Sequence, residues 1–97
     1  MYNINLLQQA IDYSPLIPKR QGNVLKIICS KSYSISAKEI EELLGLTRPS
    51  ISFSLKMLLK RNFITRVRDN IYLYCCNKER IEEIIKRYLD TKKVSNT

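Results

Sequence analysis

Two short amphipathic helices follow each other almost without a break in the middle of the chain. In the first, Ser36 and Glu39 have the spacing of a capping box, and Gly45 is placed to end the helix with a positive φ. In the second, Thr47 is placed as the N-cap, and Asn62 stands where a left-handed residue is wanted. This closely joined pair limits the possible folds more than any other feature of the sequence.

The second helix has an unusual surface. Its apolar stripe has the spacing i, i+4, i+7, i+8 and consists of Ile51, Leu55, Leu58 and Leu59. Its other positions are largely hydroxyls and cations, and no acid occurs between Gly45 and Arg68. The chain has 17 Lys and Arg against 9 Asp and Glu, a net charge of +8, and its acids cluster at 39–42 and 79–83. This segregated basic charge favours a polyanionic partner, either nucleic acid or an anionic membrane surface.

The patterns around this pair complete a small domain. Helical spacing is found over residues 2–13, 19–31 and 78–91, and a β-rich stretch with a tight Asp69-Asn70 turn predicts a hairpin. A three-helix core followed by a two-stranded wing predicts a mainly α fold with a small β-hairpin, the winged helix-turn-helix. The predicted domain covers residues 1–91: an N-terminal dimerisation helix (1–17), the core (19–62), the wing (63–76), a C-terminal dimerisation helix (78–91), and then a flexible tail (92–97).

In such a fold the second helix of the pair enters the major groove of DNA. The residues predicted to contact DNA are Arg48, Pro49, Ser50, Ser52, Phe53 and Lys56 from this helix, with Arg66 and Arg68 from the wing. Arg48 has the chemistry to bind guanine bidentately or to clamp a phosphate, whereas Lys56 suits a phosphate. Phe53 has two interpretations, packing in the core or an interface, or contact with a thymine methyl group. Lys60 and Arg61 are explained by the dipole at the helix end.

The stretch LTRPSISFSLKMLLKRNFI resembles the recognition segment of ArsR-type winged-helix regulators, and the wider MarR-like group shares much of it. The matching residues are Leu46, Thr47, Pro49, Ser50, Ile51, Ser52, Leu55, Leu58 and Ile64. Arg48 replaces a frequent Gln, Phe53 and Ser54 replace a common Arg-His pair, and Asn62 replaces Gly. The resemblance implies the fold and contact with DNA, over about residues 36–64.

The resemblance also implies a homodimer in which the first and last helices pack between protomers. The predicted interface consists of Ile4, Leu7, Ile11, Ile81, Ile84, Ile85 and Tyr88. Metal-sensing members place cysteines on the helix before the recognition helix, or Asp and His ligands on the last helix. Those two regions contain no cysteine or histidine in this sequence, so a metal site is disfavoured and no cofactor is expected. Cys29 is expected to be a core residue, and the Cys75-Cys76 pair leaves a redox role open.

These observations favour a sequence-specific binder of double-stranded DNA that acts as a small dimeric transcriptional repressor in the cytoplasm, on the nucleoid or a plasmid. Two alternatives stay open: a partition adaptor resembling the TubR-like centromere-binding proteins, and a winged-helix module that binds another protein. An enzyme is not expected, because the sequence has no histidine, no Gly-rich phosphate loop and no nucleophile–base set. Membrane binding is disfavoured, because the cations sit on a folded motif.

Overall fold

The computed structural model describes residues 4–95, and the side chains of residues 4–92. Its elements are α1 (Ile4–Tyr13), α2 (Lys19–Ser30), α3 (Ala37–Leu44), α4 (Arg48–Lys60), β1 (Ile64–Asp69), β2 (Ile71–Cys76) and α5 (Lys78–Ser95). The predicted order of helices and strands is confirmed. Residues 2 and 3 of the predicted first helix and residues 96 and 97 of the predicted tail lie outside the described residues.

The helix ends predicted around α3 and α4 are confirmed. Ser36 accepts a hydrogen bond from the amide of Glu39, whose carboxylate accepts one from the Ser36 amide in return. Gly45 has φ 66° and closes α3, and Asn62 has φ 64° just beyond α4. The Thr47 hydroxyl accepts from the Ser50 amide at 3.4 Å. Local side-chain chemistry therefore fixes where the two helices end and how sharply the chain turns between them.

A single core joins the helices to the hairpin. The most deeply buried large side chains come from all five helices and from the residue that precedes β1, and they include Leu7, Ile11, Leu25, Ile28, Ile40, Ile51, Leu58, Phe63 and Ile81. The stripe predicted for α4 is confirmed, since Ile51, Leu55 and Leu58 are buried and Leu59 packs against the core. Burial of one face leaves the opposite face of α4 in solvent.

The hairpin is held beside α3 and α4 by backbone pairing. Strands β1 and β2 are antiparallel from Ile64 opposite Cys76 to Asp69 opposite Ile71, and Asn70 turns the chain with φ 64°. Ile35, which lies outside the two strands, exchanges two backbone hydrogen bonds of 2.8 and 2.9 Å with Tyr74 of β2. Because Ile35 directly precedes the cap of α3, these bonds fix the position of the hairpin relative to the helix pair.

The first and last helices pack together within one chain. The predicted interface residues Leu7, Ile11, Ile81, Ile84 and Ile85 are all buried inside the protomer, while Ile4 is 42% exposed and Tyr88 is half-buried. The apolar stripes of α1 and α5 therefore cover each other and α2, where the close approach of Ile11 is possible because Gly22 has no side chain. Dimerisation itself stays a prediction, and it requires the apolar surface that remains exposed.

The last helix is longer than predicted. Helix α5 continues to Ser95, so residues 92–95 belong to a helix and not to a flexible tail, which corrects the predicted boundary at residue 91. The sequence after Thr91 contains no Gly or Pro to stop a helix. Its two lysines suit the negative end of the helix dipole, which favours continuation.

Candidate nucleic-acid interface

The solvent face of α4 carries small, basic and aromatic side chains. Ser52 and Lys56 are exposed there, as predicted from the stripe on the opposite face. Phe53 is 59% exposed, which excludes packing in the core and leaves an interface or a DNA contact as its interpretations. A large aromatic ring on the surface of an otherwise polar helix is available for contact with another molecule.

A groove of about 1040 Å³ lies between this face of α4 and the hairpin. It is lined by Ser36, Ala37, Lys38, Arg48, Ser52, Leu55, Lys56, Leu59, Lys60, Arg66, Ile71, Tyr72 and Tyr74. Five of these residues are cations, and none of the lining residues within the described part of the chain is acidic. Concave walls that carry one sign of charge concentrate the electrostatic field, so the groove attracts anions.

Arg48 lies at the start of α4, and its Nε donates to the Oε2 of Glu41 on α3. The Arg48 side chain is 56% exposed and the Glu41 side chain 22% exposed. This ion pair joins the two helices across their short connection. The guanidinium therefore reaches the groove with one edge already bonded.

Ser50 is turned away from the groove, toward α2. Its hydroxyl lies 3.4 Å from Nη1 of Arg20, which places a further cation beside the start of α4. Pro49 is exposed at the second position of the helix, where its missing N–H costs nothing. Of the predicted contacts in the first turn, Arg48 alone lines the groove, and Pro49 and Ser50 lie beside it.

The hairpin presents its cations on an aromatic support. The guanidinium carbons of Arg66 and Arg68 lie 4.1 and 5.1 Å from the ring centroid of Tyr72. Arg68 is paired directly across the strands with Tyr72, and Arg66 with Tyr74, so these four side chains share one face. Cation–π contacts hold both charges on that face, and Arg66 lines the groove.

Solved structures of transcriptional regulators have the same fold. A MarR-family regulator from Rhodococcus sp. RHA1 is similar to this chain with a TM-score of 0.65 and 19% identity, over 91% of this chain and 65% of that one. The transcriptional regulator Tm0710 from Thermotoga maritima is similar with a TM-score of 0.66 and 16% identity, over 97% of this chain and 72% of that one. The activation domain of the phage T4 transcription factor MotA is similar with a TM-score of 0.64 and 14% identity, over 96% of this chain and 95% of that one.

The fold is a winged helix-turn-helix. At these identities the likeness shows the fold alone, and it confirms the prediction made from the order of the elements. No protein-family model matches the sequence, and no curated protein matches it. In the terms of this fold, α3 and α4 form the helix-turn-helix, α4 occupies the position that is called the recognition helix, and the hairpin is the wing.

Four residues that add charge or aromatic support to this surface were not among the predicted contacts. Lys38 and Lys60 line the groove, Arg20 adjoins Ser50, and Tyr72 supports the arginines of the wing. Lys38 and Arg20 lie in the first turns of α3 and α2, where the helix dipole disfavours a cation. This unfavourable placement could have identified both residues from the sequence as candidate contacts. By contrast Arg61 donates to the carbonyl of Leu16, which is consistent with a structural role.

The three cysteines lie apart from the groove. Cys29, Cys75 and Cys76 are half-buried and line a separate cleft, with Cys29 packed against the core. A hydrogen bond with Cys76, burial, and the charges of Cys76 and Cys75 raise the pKa of the Cys29 thiol far above its usual value. Cys29 therefore keeps its proton at neutral pH. Within residues 4–95 no cluster of metal-binding side chains is found, and no helix is long and apolar enough to cross a bilayer.

Proposed function

We propose that this protein binds double-stranded DNA in a sequence-specific manner and acts as a small dimeric transcriptional repressor. The observation that carries the proposal is the groove between the recognition helix and the wing, whose lining contains five cations and no acid. Phosphate is the anion that this arrangement fits, because the cations are spread over α3, α4 and the hairpin, which a duplex contacts together.

The shape of the surface favours a duplex over a flat membrane. An α-helix fits the major groove of B-DNA, which is about 12 Å wide. Ser52 is small enough to let the backbone of α4 approach the bases, while Lys56 and Lys60, one helical turn apart on the groove side of α4, supply charge for phosphates. The wing then extends Arg66 and Arg68 toward the neighbouring backbone or minor groove. Repression follows if the bound site overlaps a promoter.

The dimeric part of the proposal draws on apolar surface that the protomer leaves uncovered. Large exposed side chains remain near α1 and α5, namely Ile4, Tyr13, Leu16 and Leu89. Tyr88 packs against Tyr13 of this surface with the ring centroids 5.5 Å apart and the ring planes tilted by 57°. A two-fold pair would present its recognition helices to major grooves about 34 Å apart on a pseudo-palindromic site.

Site selection from a random duplex library, followed by mobility shifts across a series of salt concentrations, tests the proposal. We expect a pseudo-palindromic consensus, affinity for it at least about a thousandfold above that for random duplex, and steep weakening as salt rises. Failure to bind any duplex at low salt would refute the proposal. Equal affinity for all duplexes would refute the sequence-specific part, and a consensus in tandem arrays away from promoters would refute repression.

A further inference from the structure

Two charges of the helix-turn-helix stand where their own helices disfavour them. Glu41 lies in the last turn of α3, next to the negative end of that helix, and Arg48 is the first residue of α4, next to its positive end. The two side chains bond each other through Oε2 and Nε. The pair thus compensates two unfavourable placements that neither helix explains by itself.

Fold stability does not account for the pair. The Arg48 side chain is more than half exposed, and exposed ion pairs contribute little to stability because solvent screens them. The ends of α3 and α4 are already fixed by Gly45 and by the Thr47 cap. What the pair does fix is the direction of the Arg48 side chain at the mouth of the groove.

The bond to Glu41 leaves the two Nη groups of the Arg48 guanidinium available for contact with a base. It uses Nε, and among the described residues no other group bonds Arg48. The two Nη groups are the donors that pair with O6 and N7 of guanine in the major groove. Pro49 and the Thr47 cap restrict the backbone on either side of Arg48. A side chain restrained before binding loses less conformational freedom on binding, so its contacts discriminate better.

We propose that Glu41 is a positioning residue that holds Arg48 for bidentate recognition of one guanine in each half-site. This inference rests on the proposed DNA binding. Removal of Glu41 is predicted to have opposite effects on specificity and on general affinity, because Glu41 is also a negative charge beside a surface that binds phosphates. Its removal should weaken the preference for guanine at one position and leave the affinity for random duplex equal or higher.

The test compares Glu41→Gln with Glu42→Gln. Glu42 is the adjacent exposed acid on α3, and among the side chains of residues 4–92 it has no ion-pair partner, so the control makes the same change in charge without touching Arg48. Fluorescence anisotropy measures affinity for the selected duplex, for the same duplex with the guanine replaced, and for random duplex. Thermal melting of each variant verifies folding.

We expect the wild type and Glu42→Gln to prefer the guanine duplex by about 5- to 150-fold. Glu41→Gln should lose most of that preference while binding random duplex at least as well. Arg48→Lys keeps the positive charge but removes the bidentate donor, so it should also lose the preference for the guanine duplex. This variant tests the role of Arg48 independently of Glu41. Combining Glu41→Gln with Arg48→Lys should cost no further preference.

The possible failures are distinguishable. If the wild type binds no duplex at low salt, the proposed function is wrong and this inference with it. If the wild type prefers guanine and Glu41→Gln keeps the full preference, only the positioning role is wrong. If Glu41→Gln binds every duplex more tightly by the same factor, Glu41 acts through repulsion alone, and the proposal is likewise overturned.

Discussion

Lys56 offers a quantitative test of the groove, because it is exposed on the recognition helix and lines the cationic wall. Each cation that neutralises one phosphate contributes about −0.9 to the slope of log K against log salt concentration. The four groove cations other than Arg48 would together give a slope of about −3.6 per protomer if each one contacts a phosphate. Lys56→Gln should therefore reduce the steepness by about 0.9 per protomer, and by about 1.8 for a dimer.

The change should be uniform across DNA sequences, because a phosphate contact carries no base information. Fluorescence anisotropy with selected and random duplexes, from about 50 to 200 mM salt, measures both slopes. Lys86→Gln is the matched control, since it removes the same charge from an exposed position on α5 outside the groove. An unchanged slope for Lys56→Gln, or an equal reduction for Lys86→Gln, would contradict the placement of DNA in the groove.

Three further predictions concern the scaffold. Gly45→Ala should lower the free energy of unfolding in urea by about 1–2 kcal/mol, because the residue has φ 66°. An added Cβ meets nothing within 4 Å, so the whole cost comes from the backbone conformation, and an unchanged stability would contradict this account of the turn. The hydrogen bond with Cys76 and burial raise the pKa of Cys29, so the folded state keeps a proton that the unfolded state loses near pH 9.0. The contribution of Cys29 to the free energy of unfolding is therefore complete below that pH and declines above it. In urea titrations at increasing alkaline pH, the free energy of unfolding should fall less steeply for Cys29→Ala than for the wild type. Leu89→Glu should lower the mass measured by sedimentation equilibrium from dimer to monomer, and an unchanged dimer would place the interface elsewhere.

The sequence was sufficient for features that depend on neighbours along the chain. The Ser36 capping box, the left-handed Asn62 and the Asp69-Asn70 turn each follow from a few adjacent residues, and each is found as predicted. The stripe on α4 likewise follows from helical spacing. These features together order the elements, and the order determines the fold.

Features that depend on tertiary contacts were not predictable in the same way. The apolar stripes of α1 and α5 indicated that something must cover them, but not that they cover each other within one chain. The pairing of Glu41 with Arg48 joins two helices, and the approach of Arg20 to Ser50 spans 30 positions. Helical spacing along a single element does not specify such partners, whereas the dipole argument at Arg48, Lys38 and Arg20 could have marked these cations as unusual.

The most direct test of DNA binding in the groove is a titration of ¹⁵N-labelled protein with the selected duplex, followed by amide chemical shifts. We predict that the largest shifts fall on residues 48–60 of the recognition helix and on residues 64–72 of the wing, at stoichiometric DNA. Shifts concentrated on α1 and α5, with the amides of α4 unchanged, would contradict the account.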